Sequence, residues 1–292
     1  MTGSLPMIVL TRSNQANRFL MAALDLQPLP YHIFYLDEDS KIPEASVVLF
    51  RPGPSIEQKD RLEAALRLEN KLRERGLHIL NQVSNIWTAM YRHLYFGILR
   101  RASISVPDYI QNPTSIGKPV VLRTCVPGQD GDDIYLVETT EQLRSLLKPG
   151  GTSVAMEFIN TYHDGLHWKH RIHVMGGKID MAAYSGSKSW VNRGGGEDIS
   201  KGIDPSKLYP NLANAAVRVG EALGIDYYSV DAVTPVEAPD KFYITDVNTA
   251  ATDMAPNAED EKRFTPEEIV VRRKHGERYM KWLYNSTSSS PG

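Results

Sequence analysis

Two acidic residues near the end of the chain lie in apolar, strand-like segments, where a charged side chain needs a specific partner. Asp231 interrupts the run YYSVDAV, and Asp246 lies in ITDVNT, two residues before Asn248. Residues two apart in a strand face the same side, so Asp246 and Asn248 point together, and Asp231 can join them from a paired strand. Two carboxylates and an amide oxygen form a hard oxygen site that suits Mg²⁺. The alternative is that the acids cap turns or pair with nearby lysine and arginine.

Other reactive side chains cluster in the preceding segment. Arg171 lies in the apolar run RIHVM, where its charge needs a partner, and an ion pair with Asp180 across a hairpin is one alternative. Four of the eight histidines fall close together, but their spacing is not that of a recognised zinc site, and we interpret them as surface or pocket-lining residues: His163, His167, His170 and His173. The single cysteine, Cys125, is interpreted as a small buried residue rather than a nucleophile.

The composition sets limits on the class of protein. The chain has 292 residues, a net charge of -2, 41% hydrophobic and 23% charged residues, which is typical of a globular protein of roughly two domains. The net charge argues against general attraction to nucleic acid or membrane, and no apolar run approaches the ~20 residues that span a bilayer. The first residues lack the pattern of a secretory signal, and one cysteine cannot form an internal disulfide, so we predict a cytoplasmic protein.

The elements that must position these side chains change character along the chain. Strands and helices alternate over residues 1–80, which predicts a small parallel α/β domain. Residues 85–101 read as one helix within a helical linker, residues 81–116. Residues 117–285 are strand-rich and mainly antiparallel, with Gly176–Gly177 as a hairpin turn, and residues 286–292 form a small polar tail. The fold class is therefore α/β with a separate α+β part.

The order of several segments resembles that of the ATP-grasp ligases, closest to the branch of glutathione synthetase and the ligases that add glutamate to a ribosomal protein. The matching segments cover roughly residues 81–254, namely NQVSNIWTAMYRHLYFGILRRASISVPDYI, GKPVVLRT, VPGQDGDDIYLV, SVAMEFIN, GLHWKHRIHVMGGKI, WVNRGGGED, GIDYYSVDA and KFYITDVNT. The resemblance implies an ATP-grasp fold, with the N-terminal α/β domain followed by two α+β lobes, residues 117–160 and 161–285, that hold ATP between them. It departs from the family at Asp246, where the usual residue is Glu, and at Arg92 and Arg123, where lysines are common.

The resemblance also implies roles for individual residues. The nucleotide-binding set is Arg92, Arg123, Gly128, Gly131, Glu157, Phe158 and Ile159, in which the two glycines belong to a phosphate loop and the last three residues to the adenine hinge. A shift of one residue would put His93 in place of Arg92. Alternatives are a solvated helix face for Arg92, an ordinary turn for the glycines and a buried strand for the hinge. The catalytic set is Arg171, Asn192 and Arg193, and the metal ligands are Asp231, Asp246 and Asn248.

The function implied by the resemblance is that of an ATP-dependent carboxylate–amine ligase. It would form an amide through an acyl phosphate, with two Mg²⁺ ions (Mn²⁺ as a substitute), and join an amino acid to an amino acid, peptide or protein. A homo-oligomer is compatible with the resemblance. The competing interpretations are an ATP-grasp phosphotransferase and a non-catalytic nucleotide-binding protein, and the substitutions at Arg92, Arg123 and Asp246 motivate the second.

Overall fold

The first part of the chain folds as a parallel sheet covered on both faces. The computed structural model describes residues 5–10, 30–36, 41–51, 59–125, 133–147, 152–190, 199–249 and 266–286. Strands β1 (Leu5–Leu10), β2 (His32–Tyr35), β3 (Ala45–Phe50) and β4 (His78–Leu80) pair in parallel in the order β2-β1-β3-β4. Alternate residues of β1 enter two different cores, as expected for a parallel sheet buried on both sides. The parallel α/β organisation predicted for this region is confirmed.

Helix α1 (Lys59–Glu74) connects β3 to β4, and α2 (Val83–Met90) and α3 (Arg92–Arg101) follow β4 and lead toward the rest of the molecule. Buried Glu69 of α1 accepts a hydrogen bond of 2.7 Å from the backbone N–H of Val83, an otherwise unpaired donor in the first turn of α2. The prediction of one helix over residues 85–101 is wrong. Tyr91 has extended backbone angles, φ -107° and ψ 108°, and separates α2 from α3, so Arg92 opens a new helix.

The second sheet is small and antiparallel. Strands β5 (Tyr109–Gln111), β6 (Val120–Cys125), β7 (Asp133–Val137) and β8 (Thr152–Glu157) pair in the order β5-β8-β6-β7. Helix α4 (Thr140–Leu146) covers one face and begins with a capping box between Thr139 and Gln142. Strand β5 lies within the range that the sequence predicted as a helical linker.

The third sheet is large and antiparallel, and it carries most of the predicted site. Its strands are β9 (Tyr162–His163), β10 (Leu166–Met175), β11 (Lys178–Ser187), β12 (Ile199–Ile203), β13 (Tyr227–Val233) and β14 (Tyr243–Asn248). The order is β12-β11-β10-β13-β14, with β9 paired to β10. The predicted hairpin turn is confirmed, because Gly176 and Gly177 connect β10 to β11 with positive φ values of 52° and 72°.

The central core lies on one face of this large sheet. Helix α5 (Pro210–Leu223) packs there with α3, and a short 3-10 helix, Pro205–Lys207, precedes it. Residues Ile172, Val174 and Val230 enter this core from β10 and β13. Because side chains alternate along a strand, the residues between them point to the opposite face. That opposite face carries Arg171 and Asp231.

The last helix, α6 (Pro266–Asn285), joins the parallel sheet to the large sheet. Its fully buried Tyr279, Met280 and Leu283 share a core with Ile8 of β1 and with Tyr227 of β13. Among the helices in the described ranges, none is long and apolar enough to cross a membrane. The domain boundaries given by the sequence stay predictions, and the tail lies outside the described residues apart from Ser286.

One buried asparagine fixes the start of β13 against the first part of the chain. Asn81 is fully buried and adopts a left-handed φ of 52°. Its Nδ2 donates to the backbone oxygen of Tyr227 at 2.7 Å, and its Oδ1 accepts from the backbone N–H groups of Asp226 at 2.7 Å and Tyr227 at 3.0 Å. The strand that carries Asp231 is therefore anchored at its first residue.

Candidate active site

The two acids singled out by the sequence lie opposite each other on neighbouring strands. Asp231 of β13 pairs with Asp246 of β14, and Ser229 pairs with Asn248. A bulge between Asp231 and Ala232 shifts the register at this point. Directly opposed residues in an antiparallel pair have Cβ atoms about 5 Å apart, so the two carboxylates are close neighbours. The structure thus brings together the three residues predicted as metal ligands.

Asp231 is held by two cations from the adjacent strand β10. Arg171 binds it with a fork, Nε to Oδ1 at 2.8 Å and Nη2 to Oδ2 at 3.0 Å. Lys169 Nζ donates to Oδ2 at 3.2 Å. Burial alone would raise the pKa of Asp231, but the charges and hydrogen bonds of Arg171 and Lys169 outweigh it and hold the pKa well below its usual value. The carboxylate is therefore ionised. Its partners are a lysine and an arginine, as in the alternative given for the two acids in the sequence analysis.

Asp246 is held by the first residue of α3. Arg92 Nη2 donates to Oδ1 of Asp246 at 2.6 Å, and the backbone N–H of Val247 donates to the same oxygen at 3.1 Å. The Arg92 side chain is 9% exposed and that of Asp246 is 34% exposed. Arg92 is thus buried against Asp246 and does not lie on a solvated helix face. His93 instead lies against the Tyr91 ring, with centroids 5.8 Å apart, and burial lowers its pKa.

The alternative that pairs Arg171 with Asp180 is wrong. Asp180 instead accepts hydrogen bonds from His275 Nδ1 and from the guanidinium of Arg278, both on α6. Burial opposes ionisation of Asp180, but these two partners lower its pKa overall. This ion pair ties the β10–β11 hairpin to α6 and leaves Arg171 at Asp231.

The predicted phosphate-binding residues of the small sheet are described only in part. Arg123 lies on β6, half-buried, opposite Ile134 and Val154. Val154 belongs to the central core, so Arg123 lies on the sheet face away from α4. Gly128 and Gly131 lie outside the described residues, as do Asn192 and Arg193. Cys125 is the last residue of β6, and the structure describes its backbone but not its side chain.

The predicted adenine hinge is the connection between the small and the large sheet. Glu157 ends β8, and its Oε1 accepts from Lys118 Nζ at 2.5 Å. The ring of Phe158 meets that of Trp190 edge-on, with centroids 6.3 Å apart. Ile159 is half-buried between Phe158 and Asn160, whose backbone oxygen accepts from Val236 N–H at 3.1 Å. An apolar segment flanked by a carboxylate can accommodate a flat base.

The histidine group does not converge on one point. His163 stacks on Trp168 with centroids 5.6 Å apart, and His167 lies 5.0 Å from the Tyr162 ring. His170 and His173 are buried and differ by three positions in β10, so they face opposite sides. Within the described ranges, no group of three or more His, Cys, Asp or Glu side chains could hold a metal ion.

Sequence reasoning missed two charged residues that contact predicted site residues. Lys169 is buried and shares Asp231 with Arg171, and Lys118 holds the hinge carboxylate. Lys169 was detectable in principle, because it precedes Arg171 by two positions on the same strand and must share its face. Lys118 carries no comparable signal, since its partner Glu157 is distant in sequence.

Strand β14 carries hard oxygen ligands for a cation. Both oxygens of Asp231 already accept hydrogen bonds. Within the described residues, Oδ2 of Asp246 accepts none, and the exposed Asn248 points to the same side. Mg²⁺ commonly uses one or two protein oxygens and takes the rest from water and phosphate, so Asp246 and Asn248 fit it.

Comparison with known proteins places the fold. No family model matches the sequence, and a search of curated proteins finds no match. Among solved structures, the ATP-grasp ligase PsnB, complexed with a precursor peptide and AMPPNP, is 12% identical over 98% of this chain and 99% of that chain, with a TM-score of 0.61. The macrocyclase MdnC from Microcystis aeruginosa, bound with its precursor peptide, is 13% identical over 96% and 100%, with a TM-score of 0.62.

A third similar structure is that of an amino-acid ligase bound to ATP. The D-alanine–D-alanine ligase from Bacillus anthracis, complexed with ATP, is 15% identical over 95% of this chain and 99% of that chain, with a TM-score of 0.59. All three alignments span nearly the whole of both chains, so they include the parallel sheet and both antiparallel sheets. The chain therefore has the ATP-grasp fold that its sequence predicted.

Proposed function

We propose that the protein is an ATP- and Mg²⁺-dependent ligase that joins a carboxylate to an amine through an acyl phosphate. The observation that carries this proposal is the charge arrangement on β10, β13 and β14. Arg92, Lys169 and Arg171 surround the ionised Asp231 and the carboxylate of Asp246. Among the described residues of this cluster the three cations outnumber the two carboxylates, which suits a polyphosphate bound with a divalent ion.

The similar structures support the nucleotide and the type of substrate. PsnB was also solved with Mg and ADP, and PsnB and MdnC were both solved with precursor peptides. The D-alanine–D-alanine ligase, by its name, joins two amino acids. We therefore propose ATP as one substrate, and an amino acid or a peptide as carboxylate and amine. A cytoplasmic location and a homo-oligomer remain predictions.

The proposed reaction has two balanced steps. A carboxylate oxygen of the first substrate attacks the γ-phosphorus of ATP, the bond to the bridging oxygen breaks, and ADP leaves. The amine then attacks the carbonyl carbon of the acyl phosphate, phosphate leaves with the former carboxylate oxygen, and the amine loses a proton to solvent or phosphate. Mg²⁺, when bound, would neutralise phosphate charge, and Asp246 and Asn248 are the residues that would hold it.

The described side chains would act by positioning and by charge rather than by covalent chemistry. Arg171 would face the transferred phosphoryl group while its fork to Asp231 keeps its orientation fixed. Arg92 would hold Asp246, and Arg123 would contact a phosphate from the small sheet. Glu157, Phe158 and Ile159 would bind the adenine. Asn192, Arg193, Gly128 and Gly131 keep their proposed roles at the acceptor and at the phosphates.

The first experiment measures ADP and phosphate release with ATP and Mg²⁺ over pooled amino acids and short peptides, and identifies the amide by mass spectrometry. The comparison variant is Asp246→Asn, which keeps the shape and an acceptor for Arg92 while lowering the charge. Asn248→Ala is a second variant at an exposed position. Release that depends on the substrate, yields an amide and falls at least about tenfold in both variants supports the ligase.

Two outcomes would replace the proposal with an alternative. A stable phosphorylated product without any amide would identify a phosphotransferase. Tight ATP binding without turnover over the whole panel would favour the non-catalytic nucleotide-binding protein. Turnover that is equal in wild type and both variants would discredit Asp246 and Asn248 as functional residues, whichever product forms.

A further inference from the structure

The two facing carboxylates differ in solvent exposure and in the number of hydrogen bonds they accept. Asp231 accepts three hydrogen bonds from Arg171 and Lys169, and its side chain is only 14% exposed. Asp246 is more open, and its Oδ2 accepts no hydrogen bond from the described residues. A divalent ion can therefore reach Asp246 with its existing partners in place, whereas at Asp231 it must compete with two cations.

Lys169 makes this competition unfavourable. The side chain of Lys169 is nearly buried, with 8% exposed. Strand β10 pairs with both β11 and β13, which fixes Lys169 on the sheet face that carries Arg171 and Asp231. A divalent ion at Asp231 would either displace the ammonium or lie next to it. Displacement breaks a buried ion pair of Asp231, and proximity adds repulsion between like charges.

We propose that Lys169, together with Arg171, occupies the position on Asp231 that a second divalent ion would take, so that the nucleotide binds with one ion, held by Asp246 and Asn248. The inference rests on the proposed function, because it concerns the ions that accompany a nucleotide. It differs from the two-ion arrangement that the resemblance to the ATP-grasp ligases implied. Lys169 is then a positioning residue that supplies a fixed positive charge in place of a metal.

The arrangement also explains why a shorter acid is tolerated at Asp246. An acid that bridges two ions must reach both, whereas an acid that binds one ion needs only one free oxygen. Arg92 and the backbone N–H of Val247 donate to Oδ1 of Asp246, and Oδ2 accepts no hydrogen bond from the described residues. The shorter side chain and the cation at Asp231 are thus two parts of one arrangement for a single ion.

The test is equilibrium dialysis of the full chain with AMPPNP and Mn²⁺, followed by measurement of bound nucleotide and bound metal per chain. We expect one Mn²⁺ per bound AMPPNP in wild type and an EPR spectrum without coupling between two ions. Asp231→Asn should keep this ratio of one, while Asp246→Asn should weaken Mn²⁺ binding at least about tenfold.

The decisive variant is Lys169→Met, which keeps an unbranched side chain, one heavy atom shorter, and removes its charge. We expect a second Mn²⁺ to bind in this variant, so that the ratio approaches two. The matched control is Lys178→Met, an exposed lysine at the start of β11, which should keep the ratio at one. If Lys169→Met does not fold, the ratios of wild type and Asp231→Asn decide the question.

Two results would overturn the inference in distinguishable ways. Two Mn²⁺ ions per nucleotide in wild type, with one of them lost in Asp231→Asn, would show that Asp231 binds metal in spite of Lys169. In that case the proposed function stands. Failure of wild type to bind AMPPNP at all would overturn the proposed function and the inference with it.

Discussion

The ion pairs that hold the candidate site residues differ in how far they are exposed to solvent. The Asp231 cluster is nearly closed to solvent, while the pair of Arg92 with Asp246 joins a buried guanidinium to a carboxylate that is about one-third exposed. Removing one partner of a buried pair strands the other charge, which costs more than the pair contributes. Side chains that would meet phosphate are therefore already oriented by their carboxylate partners.

The pair of Arg92 with Asp246 gives a prediction for stability. Arg92→Met removes the partner of Asp246, and we expect the free energy of unfolding at pH 7 to fall by about 1–3 kcal/mol, less than for a fully buried pair because Asp246 reaches solvent. Urea unfolding measures this change. The double variant with Asp246→Asn should lose about 1 kcal/mol less than the sum of the single variants. Strict additivity would show that the two residues are not coupled.

The buried His170 predicts a pH dependence of stability. Burial lowers its pKa to about 4 in the folded chain, against about 6.5 in an unfolded chain. The neutral imidazole is retained on folding, so its contribution is complete above pH 6.5 and is lost as the pH falls toward 4, by up to about 3 kcal/mol. His170→Phe keeps a ring against Tyr184 and should flatten the fall in stability over this range.

Urea unfolding at several pH values between 4 and 7 measures that slope. The control is His163→Gln, which removes an exposed imidazole from the neighbouring strand. An unchanged slope in His170→Phe would mean that His170 takes up a proton in the folded protein as easily as in the unfolded chain.

At the scale of elements, the β10–β11 hairpin links the site to the last helix. Its turn packs on the Trp282 ring of α6, and Asp180 in β11 binds His275 and Arg278 of the same helix. Arg171 lies in the middle of β10, so its position depends on both ends of the strand. The helix thereby stabilises the strand that carries the cations of the site.

The two glycines of this turn give a matched pair of substitutions. Both have positive φ, which costs an alanine roughly 1 kcal/mol. A Cβ at Gly177 would meet nothing within 4 Å, whereas one at Gly176 would lie 2.5 Å from Trp282 Nε1. We expect Gly176→Ala to lose about 1–3 kcal/mol more than Gly177→Ala in urea unfolding. Equal losses would show that the turn does not press on α6.

At the scale of the whole molecule, the parallel sheet and the large sheet share a core. Residues of β1, β3, β13 and α6 meet in one apolar cluster, and the Arg51 guanidinium lies 5.1 Å from the centroid of the Tyr227 ring within it. Asn81 adds a buried hydrogen-bonded link between the same parts. The described contact between the two regions is therefore largely apolar, unlike the weak, polar interfaces across which domains unfold separately.

Leu283 tests this cooperativity. Leu283→Ala removes a fully buried side chain of the shared core, and we expect a loss of about 2–5 kcal/mol. Val270→Ala, at an exposed position on the same helix, should change the stability by less than about 0.5 kcal/mol. Far-UV circular dichroism and tryptophan fluorescence should give coincident unfolding transitions. Two separated transitions would show that the parallel sheet unfolds independently.

The sequence by itself determined the classes of element and the convergence of the acids. Apolar runs bounded by turn residues indicate strands from the local sequence alone. The parallel first sheet, the antiparallel later sheets and the Gly176–Gly177 hairpin could therefore be predicted. The two-residue spacing of Asp246 and Asn248, with Asp231 on a neighbouring strand, likewise placed these residues together.

Only the tertiary structure decided which charges pair. Arg92 is 154 positions from Asp246, and Lys169 is 62 positions from Asp231, so no local pattern couples them. Arg171 pairs with Asp231 and not with Asp180. Helix α6 packs on the hairpin, and its His275 and Arg278 bind Asp180 instead. The helix break at Tyr91, after which Arg92 begins α3, also has no proline or glycine beside it from which it could be predicted. Pairing of buried charges depends on which elements meet in space, and packing of distant segments decides that.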